Sequence, residues 1–347
     1  MPRNSSRRRR SPLWLRIFLG AVLFLLIFAG AVLLAVNLVL NQITRPDLNQ
    51  PYMTEDQLLA LDLQEAVENG PGQNNVVYPE LDPSTIQWTA PKEEIGKKHD
   101  LINILLIGQD SRSDSDTARS DSMILVTVNL DTKSITMTSF LRDLYVQIPG
   151  YQDNRLNAAY AFGGMHLLDE TLETNFGVTV DGNVAVNFDS FSRIIDILGG
   201  VDIYLTDAEA DHMRLSPGLN HMDGETALSY ARIRYIDSDF GRSQRQRNVM
   251  TALYYSFRTA GITELLSLTE EILPMLTTDM SNTEIMSYAA KLAPMLSGST
   301  ISGSHIPAEG TYTFHSIRGM SVIVADLDQN RQILSQTLEP ATEEAEP

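Results

Sequence analysis

The hydrophobic pattern of the chain begins with a long apolar run. Residues 17–40 carry no charged side chain, and Trp14 stands just before them. A helix of this length, at about 1.5 Å per residue, crosses a hydrocarbon core of about 30 Å. We therefore predict a transmembrane helix at residues 13–40. The preceding residues 1–12 are rich in Arg, which predicts a basic tip on the cytoplasmic side of the membrane.

A cleaved signal peptide is the alternative interpretation of this run. Such a peptide has an apolar region of about 7–15 residues followed by a cleavage site of small residues. The run here is longer, and residues 41–46 (Asn-Gln-Ile-Thr-Arg-Pro) provide no such site. The pattern favours an uncleaved single-pass anchor, with everything after residue 41 on the extracytoplasmic side.

The rest of the chain divides into a linker, a large body and a tail. Residues 41–100 hold six of the fifteen prolines and are predicted to be an extracytoplasmic stalk, with one helix at about 54–68. Residues 101–338 have the texture of one folded domain. Residues 339–347 are acidic and lack large apolar side chains, which predicts a disordered tail.

Strand and helix patterns alternate within the body. Helices are predicted at 157–162, 167–176, 188–198, 225–233, 243–259, 262–296 and 326–338. Strands are predicted at 101–107, 122–130, 134–139, 184–186, 201–205, 300–305, 311–314 and 320–324. Interleaved strands and helices predict an α/β fold with a central mixed sheet covered by helices.

Charge is distributed unevenly along the chain. The net charge is −18, but residues 1–16 contain six Arg and no acid, so residues 41–347 carry a net charge of −24. An acidic body of this size repels phosphate backbones, which argues against a nucleic-acid partner. The absence of cysteine excludes thiol catalysis, disulfides and Cys-type zinc sites, and the six His show no zinc-ligand spacing.

The cations of residues 101–250 are eleven Arg and one Lys. Arg is the residue for planar, bidentate recognition of phosphate, and Asp is a common ligand of Mg²⁺. Many of these residues follow or precede predicted strands, where α/β sheets place their ligand sites. The groups are Asp110 with Arg112, Arg119 with Asp121, Arg142 with Asp143, Arg232 with Arg234, and Arg242 with Arg245 and Gln246.

Two interpretations of this pattern remain open at the level of single residues. In the first, several Arg form a cradle for a pyrophosphate, and Asp110 and Asp121 hold a Mg²⁺ that bridges the phosphates. Arg232 and Arg234 would project to one side if their segment is extended, and Arg242, Arg245 and Gln246 share a helical face. In the second, the same residues form surface ion pairs and helix caps.

The motifs of this body resemble those of the LytR-CpsA-Psr (LCP) family of Gram-positive cell-wall ligases. The resemblance covers residues 101–250 in order and spacing, and the tip, the single span and the extracytoplasmic body also fit the family's layout. The matching segments are 103–112 (NILLIGQDSR), 119–121 (RSD), 139–143 (SFLRD), 154–160 (NRLNAAY), 163–164 (GG), 198–201 (LGGV), 228–234 (LSYARIR) and 242–246 (RSQRQ).

The resemblance implies an LCP-like α-β-α fold and a Mg²⁺-dependent phosphotransferase in the cell membrane. Such enzymes move a glycopolymer phosphate from a polyprenyl-pyrophosphate donor to peptidoglycan. The residues that match the family's site comprise catalytic arginines, further substrate-binding residues and metal ligands. They are Arg119, Arg142, Arg232 and Arg234 (catalytic), Arg112, Arg155, Arg242 and Gln246 (substrate-binding), and Asp110 and Asp121 (metal).

Two positions depart from the family pattern. Arg155 stands where the family usually has Lys, which keeps the charge and changes the geometry, and Leu141 stands where many members have Pro. The family also buries its lipid in an apolar tunnel, which a segment such as 188–198 could line here; ordinary core packing explains that segment equally well. The competing functions are a polyprenyl-phosphate-binding regulatory protein (attenuator) and a lipid pyrophosphatase in which water replaces the acceptor.

Overall fold

The computed structural model describes residues 36–46, 52–60, 78–95, 101–109, 119–234, 236–259, 268 and 270–339. The predicted basic tip lies outside these residues. Only residues 36–40 of the predicted span and Glu339 of the predicted tail are among those described. Within the described ranges, no helix has both the length and the apolar character needed to cross a bilayer.

The strands of the described residues follow most of the predicted ones. They are β1 (Leu101–Gln109), β2 (Ser120–Asn129), β3 (Ser134–Phe140), β4 (Tyr145–Val146), β5 (Asn154–Arg155), β6 (Gly182–Asn187), β7 (Val201–Leu205), β8 (Gly218–Met222), β9 (Thr277–Thr278), β10 (Thr300–Ile306), β11 (Tyr312–Ile317) and β12 (Met320–Ala325).

A six-stranded sheet with the order β10-β3-β2-β1-β6-β9 organises the described part of the domain. β1, β2 and β3 are antiparallel neighbours, whereas β6 pairs with β1, and β10 with β3, in parallel. β9 closes one edge antiparallel to β6. The predicted mixed sheet is therefore confirmed. The remaining strands form the two-stranded ribbons β4-β5, β7-β8 and β11-β12.

Seven α-helices of the body, each described from end to end, accompany this sheet. The first contains non-helical backbone at Gly163 and Gly164, where Gly164 has a φ of 63°, so it is two helical halves, as the two separate helix predictions required. The helices are α1 (Leu156–Phe176), α2 (Phe188–Ile197), α3 (Asp207–Met213), α4 (Gly224–Ala231), α5 (Asp239–Thr259), α6 (Asn282–Leu292) and α7 (Leu327–Leu338).

The two faces of the sheet have different coverings. Successive side chains of a strand point to opposite faces. Leu105 and Leu125 point into the main core, which α1 and α7 complete. Leu106 and Val126 point the other way, toward a cavity under α2, α4 and α5. This alternation creates a solid core on one side of the sheet and a hollow on the other.

Part of the segment predicted to be a stalk packs against the domain. Trp88 lies against the main core and its indole N–H donates to Asp153 over 2.9 Å. Ile95 bridges to Val178, and Glu80 bridges to Ser316. Near residue 54, where a helix was predicted to begin, a capping box forms, since the Gln57 N–H donates to Thr54 Oγ1 and the Thr54 N–H donates to Gln57 Oε1.

Two regions differ from the sequence-based expectations. The continuous helix predicted at 262–296 is wrong, because a 3₁₀ turn at Leu273–Met275 and strand β9 precede α6. Pro274 removes a helical donor, and the β-branched Thr277 and Thr278 pair with β6 instead. Of the β7-β8 hairpin, only the first strand was predicted. The second strand, β8, was missed because it contains Gly218 and Asn220, which are poor strand formers.

Candidate active site

A cavity of about 380 Å³ lies between the sheet and helices α2, α4 and α5. Its walls are almost entirely apolar. The apolar lining comes from the sheet (Leu106, Ile124, Val126, Ile135, Met137, Val184, Val186), from α2 and α4 (Phe188, Phe191, Ile194, Leu228, Ala231), from α5 (Met250, Leu253, Tyr254, Phe257) and from Ile272 and Leu276. An unbranched or isoprenoid chain is the kind of ligand that such a wall accommodates.

Polar side chains meet at one end of this cavity, which we call the mouth. The mouth lies where β1 ends and β2 begins, because Gly108 pairs with Ser122 at that level. Its polar residues, all of which line the cavity, are Asp121, Ser122, Arg232, Arg234, Arg242 and Gln246. Four of the eight predicted Arg and Gln positions and one of the two predicted metal ligands therefore come together.

Arg142 joins the mouth through Asp121. Its Nη1 lies 2.6 Å from Asp121 Oδ1, and its Nε lies 3.4 Å from Asp143 Oδ2. Asp143 in turn accepts from Arg155 Nη1 over 3.2 Å. The predicted residues Arg142 and Arg155 are thus part of one alternating chain of charges beside the cavity.

The surrounding charges determine the ionisation states of Asp143 and Arg142 in this row of alternating charges. Burial alone would raise the pKa of Asp143, but the positive charges of Arg142, Arg155 and Arg242 outweigh it and hold the pKa below its ordinary value. The charge of Asp143 is the main cause of a raised pKa at Arg142, with a further contribution from Asp121. Both partners are therefore fully ionised at neutral pH.

Arg242 lies in the first turns of α5, next to the other mouth arginines. Burial lowers the pKa of its guanidinium, and the like charges of Arg142 and Arg234 lower it further, while Asp239 at 2.9 Å opposes the shift. Three arginines whose charges repel one another in a partly buried place are stabilised by a polyanion.

The segment of Arg232 and Arg234 is not a strand. Arg232 is the C-cap residue of α4, with a φ of −104° and a ψ of 1°, so the extended conformation considered for the pair is wrong. Buried Ile233 lies between them, and both flanking side chains line the cavity. The guanidinium of Arg232 lies 4.5 Å from the ring centroid of Phe188, a cation–π contact at the cavity wall.

Gln246 follows Arg242 by one helical turn and is bound to β2. Ser122 Oγ donates to Gln246 Oε1 over 3.1 Å. The side-chain amide N–H₂ of Gln246 remains a donor that an anion at the mouth can use.

The other predicted site residues are placed less fully. Arg119 immediately precedes β2 and is half-buried, but its side chain does not line the cavity. Asp110 and Arg112 fall outside the described residues.

Mg²⁺ fits the mouth on the chemistry of its donors. Proteins commonly bind Mg²⁺ through one or two carboxylates together with substrate phosphates. Asp121 supplies such a carboxylate and lines the cavity. Its Oδ1 accepts a hydrogen bond from Arg142. Among the described residues no group of three or more His, Cys, Asp or Glu could hold a metal without help from a ligand.

Two arginines of α5 have structural roles that the sequence did not reveal. Arg245 is buried, makes two bonds of 2.7 and 2.8 Å to Asp237 and donates to the Ile233 carbonyl, so it does not share the mouth with Arg242. Arg247 is buried beside β3, where it donates to Ser139 Oγ and Gln244 Oε1 over 2.6 Å each. Burial lowers the pKa of Arg247 to about 10.

Comparison with known proteins relates the chain to a family. A model of the LytR_cpsA_psr family matches residues 73–338. A Halalkalibacterium halodurans protein named polyisoprenyl-teichoic acid–peptidoglycan teichoic acid transferase TagU is 39% identical over 159 residues, which are 44% of this chain and 52% of that protein. The chain therefore spans about half the length of the curated relatives it matches.

Solved structures agree with this match. Bacillus subtilis TagV superimposes with a TM-score of 0.57 at 28% identity, covering 71% of this chain and 100% of TagV. A structure of TagT bound to LIIa-WTA gives a TM-score of 0.58 at 27% identity, covering 76% of this chain and 99% of TagT. The mixed α/β architecture is that of these structures, and the chain belongs to the LytR_cpsA_psr family.

Proposed function

We propose that the chain is a membrane-anchored extracytoplasmic phosphotransferase that attaches a glycopolymer to peptidoglycan from a polyprenyl-pyrophosphate donor. The observation that carries the proposal is the junction of an apolar cavity with a mouth of arginines. A polyprenyl pyrophosphate has the same division, with an apolar chain joined directly to a polyanion. The uncharged run at residues 17–40 supplies the anchor.

The relatives support this substrate class. TagU is named as a transferase of polyisoprenyl-linked teichoic acid to peptidoglycan, and TagT has been solved with LIIa-WTA bound. By similarity, we assign this chain an anionic glycopolymer of the teichoic-acid type as the transferred group. The acceptor is a peptidoglycan sugar hydroxyl.

The reaction is a phosphoryl transfer. The acceptor hydroxyl oxygen forms a bond to the phosphorus that carries the glycopolymer, and the bond from that phosphorus to the bridging oxygen of the pyrophosphate breaks. The hydroxyl proton is released, and polyprenyl phosphate leaves with the bridging oxygen and its electron pair. The products are a glycopolymer–peptidoglycan phosphodiester and polyprenyl phosphate.

The side chains of the mouth act mainly by charge. Arg232, Arg234 and Arg242 are placed to bind the pyrophosphate oxygens and to neutralise the charge that grows on the leaving phosphate. Arg142 holds Asp121 at the same place. Mg²⁺ bound through Asp121, and Asp110 as its second predicted ligand, would neutralise further phosphate charge.

A transfer assay tests the proposal directly. The full chain in detergent or vesicles receives a polyprenyl-pyrophosphoryl saccharide, an acceptor oligosaccharide containing N-acetylmuramic acid, and Mg²⁺. We expect a phosphodiester-linked product and one equivalent of polyprenyl phosphate, both lost when the metal is chelated. Absence of product with a folded chain and a range of donors contradicts the proposal.

The same assay separates the competing functions. Consumption of the donor without acceptor, with water as nucleophile and faster than transfer, would identify a lipid pyrophosphatase. Tight binding of the donor with no Mg²⁺-dependent turnover would identify a regulatory binding protein.

A further inference from the structure

The segment that follows the predicted membrane span is bound to the edge of the sheet. The backbone N–H of Thr44 donates to the Leu276 carbonyl over 3.1 Å, and the Thr44 carbonyl accepts from the Thr278 N–H over 3.0 Å. Thr44 thereby bridges in parallel to Thr277 of β9. The segment continues the sheet by one short edge contact.

Side chains hold the same segment at the N-terminus of α6. Asn282 Oδ1 accepts from Arg45 Nη2 over 2.8 Å, and Asn282 Nδ2 donates to Asn41 Oδ1 over 2.7 Å and to Asn37 Oδ1 over 3.1 Å. Leu40 and Ile43 are buried. One asparagine of the domain therefore binds three residues of the segment.

This attachment sets a short distance between the bilayer and the sheet. Leu40 is the last residue of the uncharged run, and four residues of extended chain reach at most about 14 Å. The backbone is more compact than that, since the Asn41 N–H donates to the Asn37 carbonyl and the Ile43 N–H to the Leu40 carbonyl. Val36 and Leu38, in the described end of the predicted span, expose their apolar side chains.

The residue that receives this segment is also part of the cavity wall. The carbonyl of Leu276 accepts from Thr44, and Leu276 lines the cavity together with Ile272. An isoprenoid chain that crossed open water to reach the cavity would expose its whole apolar surface, so a short path is strongly favoured.

We propose that the donor's polyprenyl chain enters the cavity directly from the bilayer at the β9 edge, beside the chain's own anchor. This inference rests on the proposed function, because it takes the lipid donor and the membrane anchor as given. Residues 37–45 and Asn282 then have a positioning role, which is to keep the Ile272–Leu276 wall at the membrane surface.

Fluorescence quenching tests the orientation without any turnover. The chain lacks cysteine, so Thr283→Cys and Thr300→Cys each give a single labelling site. Thr283 is exposed next to Asn282, which binds the segment, whereas Thr300 is exposed on the edge strand β10, five strand spacings or about 24 Å from the other edge strand, β9. With the full chain in vesicles containing headgroup-nitroxide lipids, we expect roughly twofold or more stronger quenching at position 283. Equal quenching, or stronger quenching at position 300, overturns the proposal.

Kinetics with two donors test the positioning role. Thr44→Pro removes the N–H that Leu276 accepts, while Thr44→Val keeps the backbone as a control. Asn282→Ala is a second disrupting variant that leaves β9 intact. For a long-chain donor in vesicles we expect KM to rise about tenfold in both disrupting variants, and for a short-chain, water-soluble donor we expect no change.

The outcomes separate this inference from the proposed function. Equal losses with both donors, or no loss with either, overturn the entry path at the β9 edge. If the wild-type chain converts neither donor, the proposed function fails, while the quenching contrast still reports how the domain faces the bilayer.

Discussion

Asp121 and Arg142 lie opposite each other on the continuation of the β2-β3 register. Met123 pairs with Phe140 in the ladder, so two residues further out Asp121 faces Arg142, and their side chains meet at 2.6 Å. Arg142 also contacts half-buried Asp143, which Arg155 contacts from the other side. The sheet register therefore places both a candidate metal ligand and a cation at the mouth.

Removing the central carboxylate of this charge chain is expected to destabilise the fold. In Asp143→Asn, Arg142 and Arg155 keep their half-buried charges and lose their shared anionic partner, which costs about 3 kcal/mol of unfolding free energy. Urea denaturation followed by circular dichroism measures this loss. As a control, Asp239→Asn removes a more exposed carboxylate, paired with Arg242, and should cost about 1 kcal/mol or less.

The contribution of Asp143 to the unfolding free energy depends on pH with a definite sign. The folded-state pKa of Asp143 is below its ordinary value of 3.8, so its contribution to stability is present above that value and is lost as the pH falls further. Asp143→Asn should therefore flatten the acid limb of the stability curve. An unchanged acid limb would contradict this assignment.

Arg234 and Arg245 both belong to the predicted Arg groups, but we expect the loss of Arg234 to lower activity and the loss of Arg245 to lower stability. Arg234 is exposed at the mouth, so Arg234→Ala should lower kcat/KM by about 10²–10³-fold. Its unfolding free energy should stay within about 0.5 kcal/mol of wild type. Arg245→Ala instead leaves buried Glu209 and exposed Asp237 without their arginine partner and should cost about 3–5 kcal/mol, mainly because of the charge left at Glu209. Parallel melting and transfer assays on both variants check the contrast, and a reversed order would refute it.

Local sequence patterns could predict the part of the site that a single hairpin builds. Strands were predicted at 122–130 and 134–139, and the short connection between them favours a hairpin, which brings Asp121 and Arg142 to the same end of the sheet. The two-helix prediction around Gly163 and Gly164 is confirmed for the same reason, because glycine punctuation is a local signal.

Contacts across long stretches of chain could not be predicted in this way. Arg242 and Arg245 share a broad helical face by spacing, yet they diverge by about 60° around the axis, and burial under α3 and α4 assigns Arg245 to Glu209 and Asp237. Arg247 donates a hydrogen bond to Ser139, which lies 108 residues earlier in the chain. These outcomes depend on how helices pack on the sheet, which the spacing of Arg residues does not encode.

A buried carboxylate far from the mouth predicts a second pH effect of opposite sign. Burial is the main cause that raises the pKa of Asp169 to about 7, and the nearby charge of Asp279 adds to it. The folded state thus binds a proton that the unfolded state has released, so stability falls as the pH rises from about 4 to about 7. Asp169→Asn should abolish this slope in denaturation measured at several pH values, whereas a slope that persists would contradict the assignment.

Filling the cavity should distinguish lipid binding from chemistry. Val184 pairs with Leu106 on β1 and lines the cavity, and its neighbour Ala185 is buried in the main core. In Val184→Phe the larger ring occupies space that the structure leaves open, so the protein should fold with a melting temperature close to that of wild type. Overpacking of a filled core would instead cost about 1–3 kcal/mol. The KM for a long-chain donor should rise about tenfold, because the ring excludes about two methylene groups worth about 0.8 kcal/mol each. A short-chain donor, which leaves this part of the cavity empty, should keep its kcat and KM.

Val184→Ala is the matched control, since it enlarges the cavity and should leave both donors as substrates. A uniform fall in kcat for both donors in Val184→Phe would mean that the cavity shapes the mouth rather than holds the lipid.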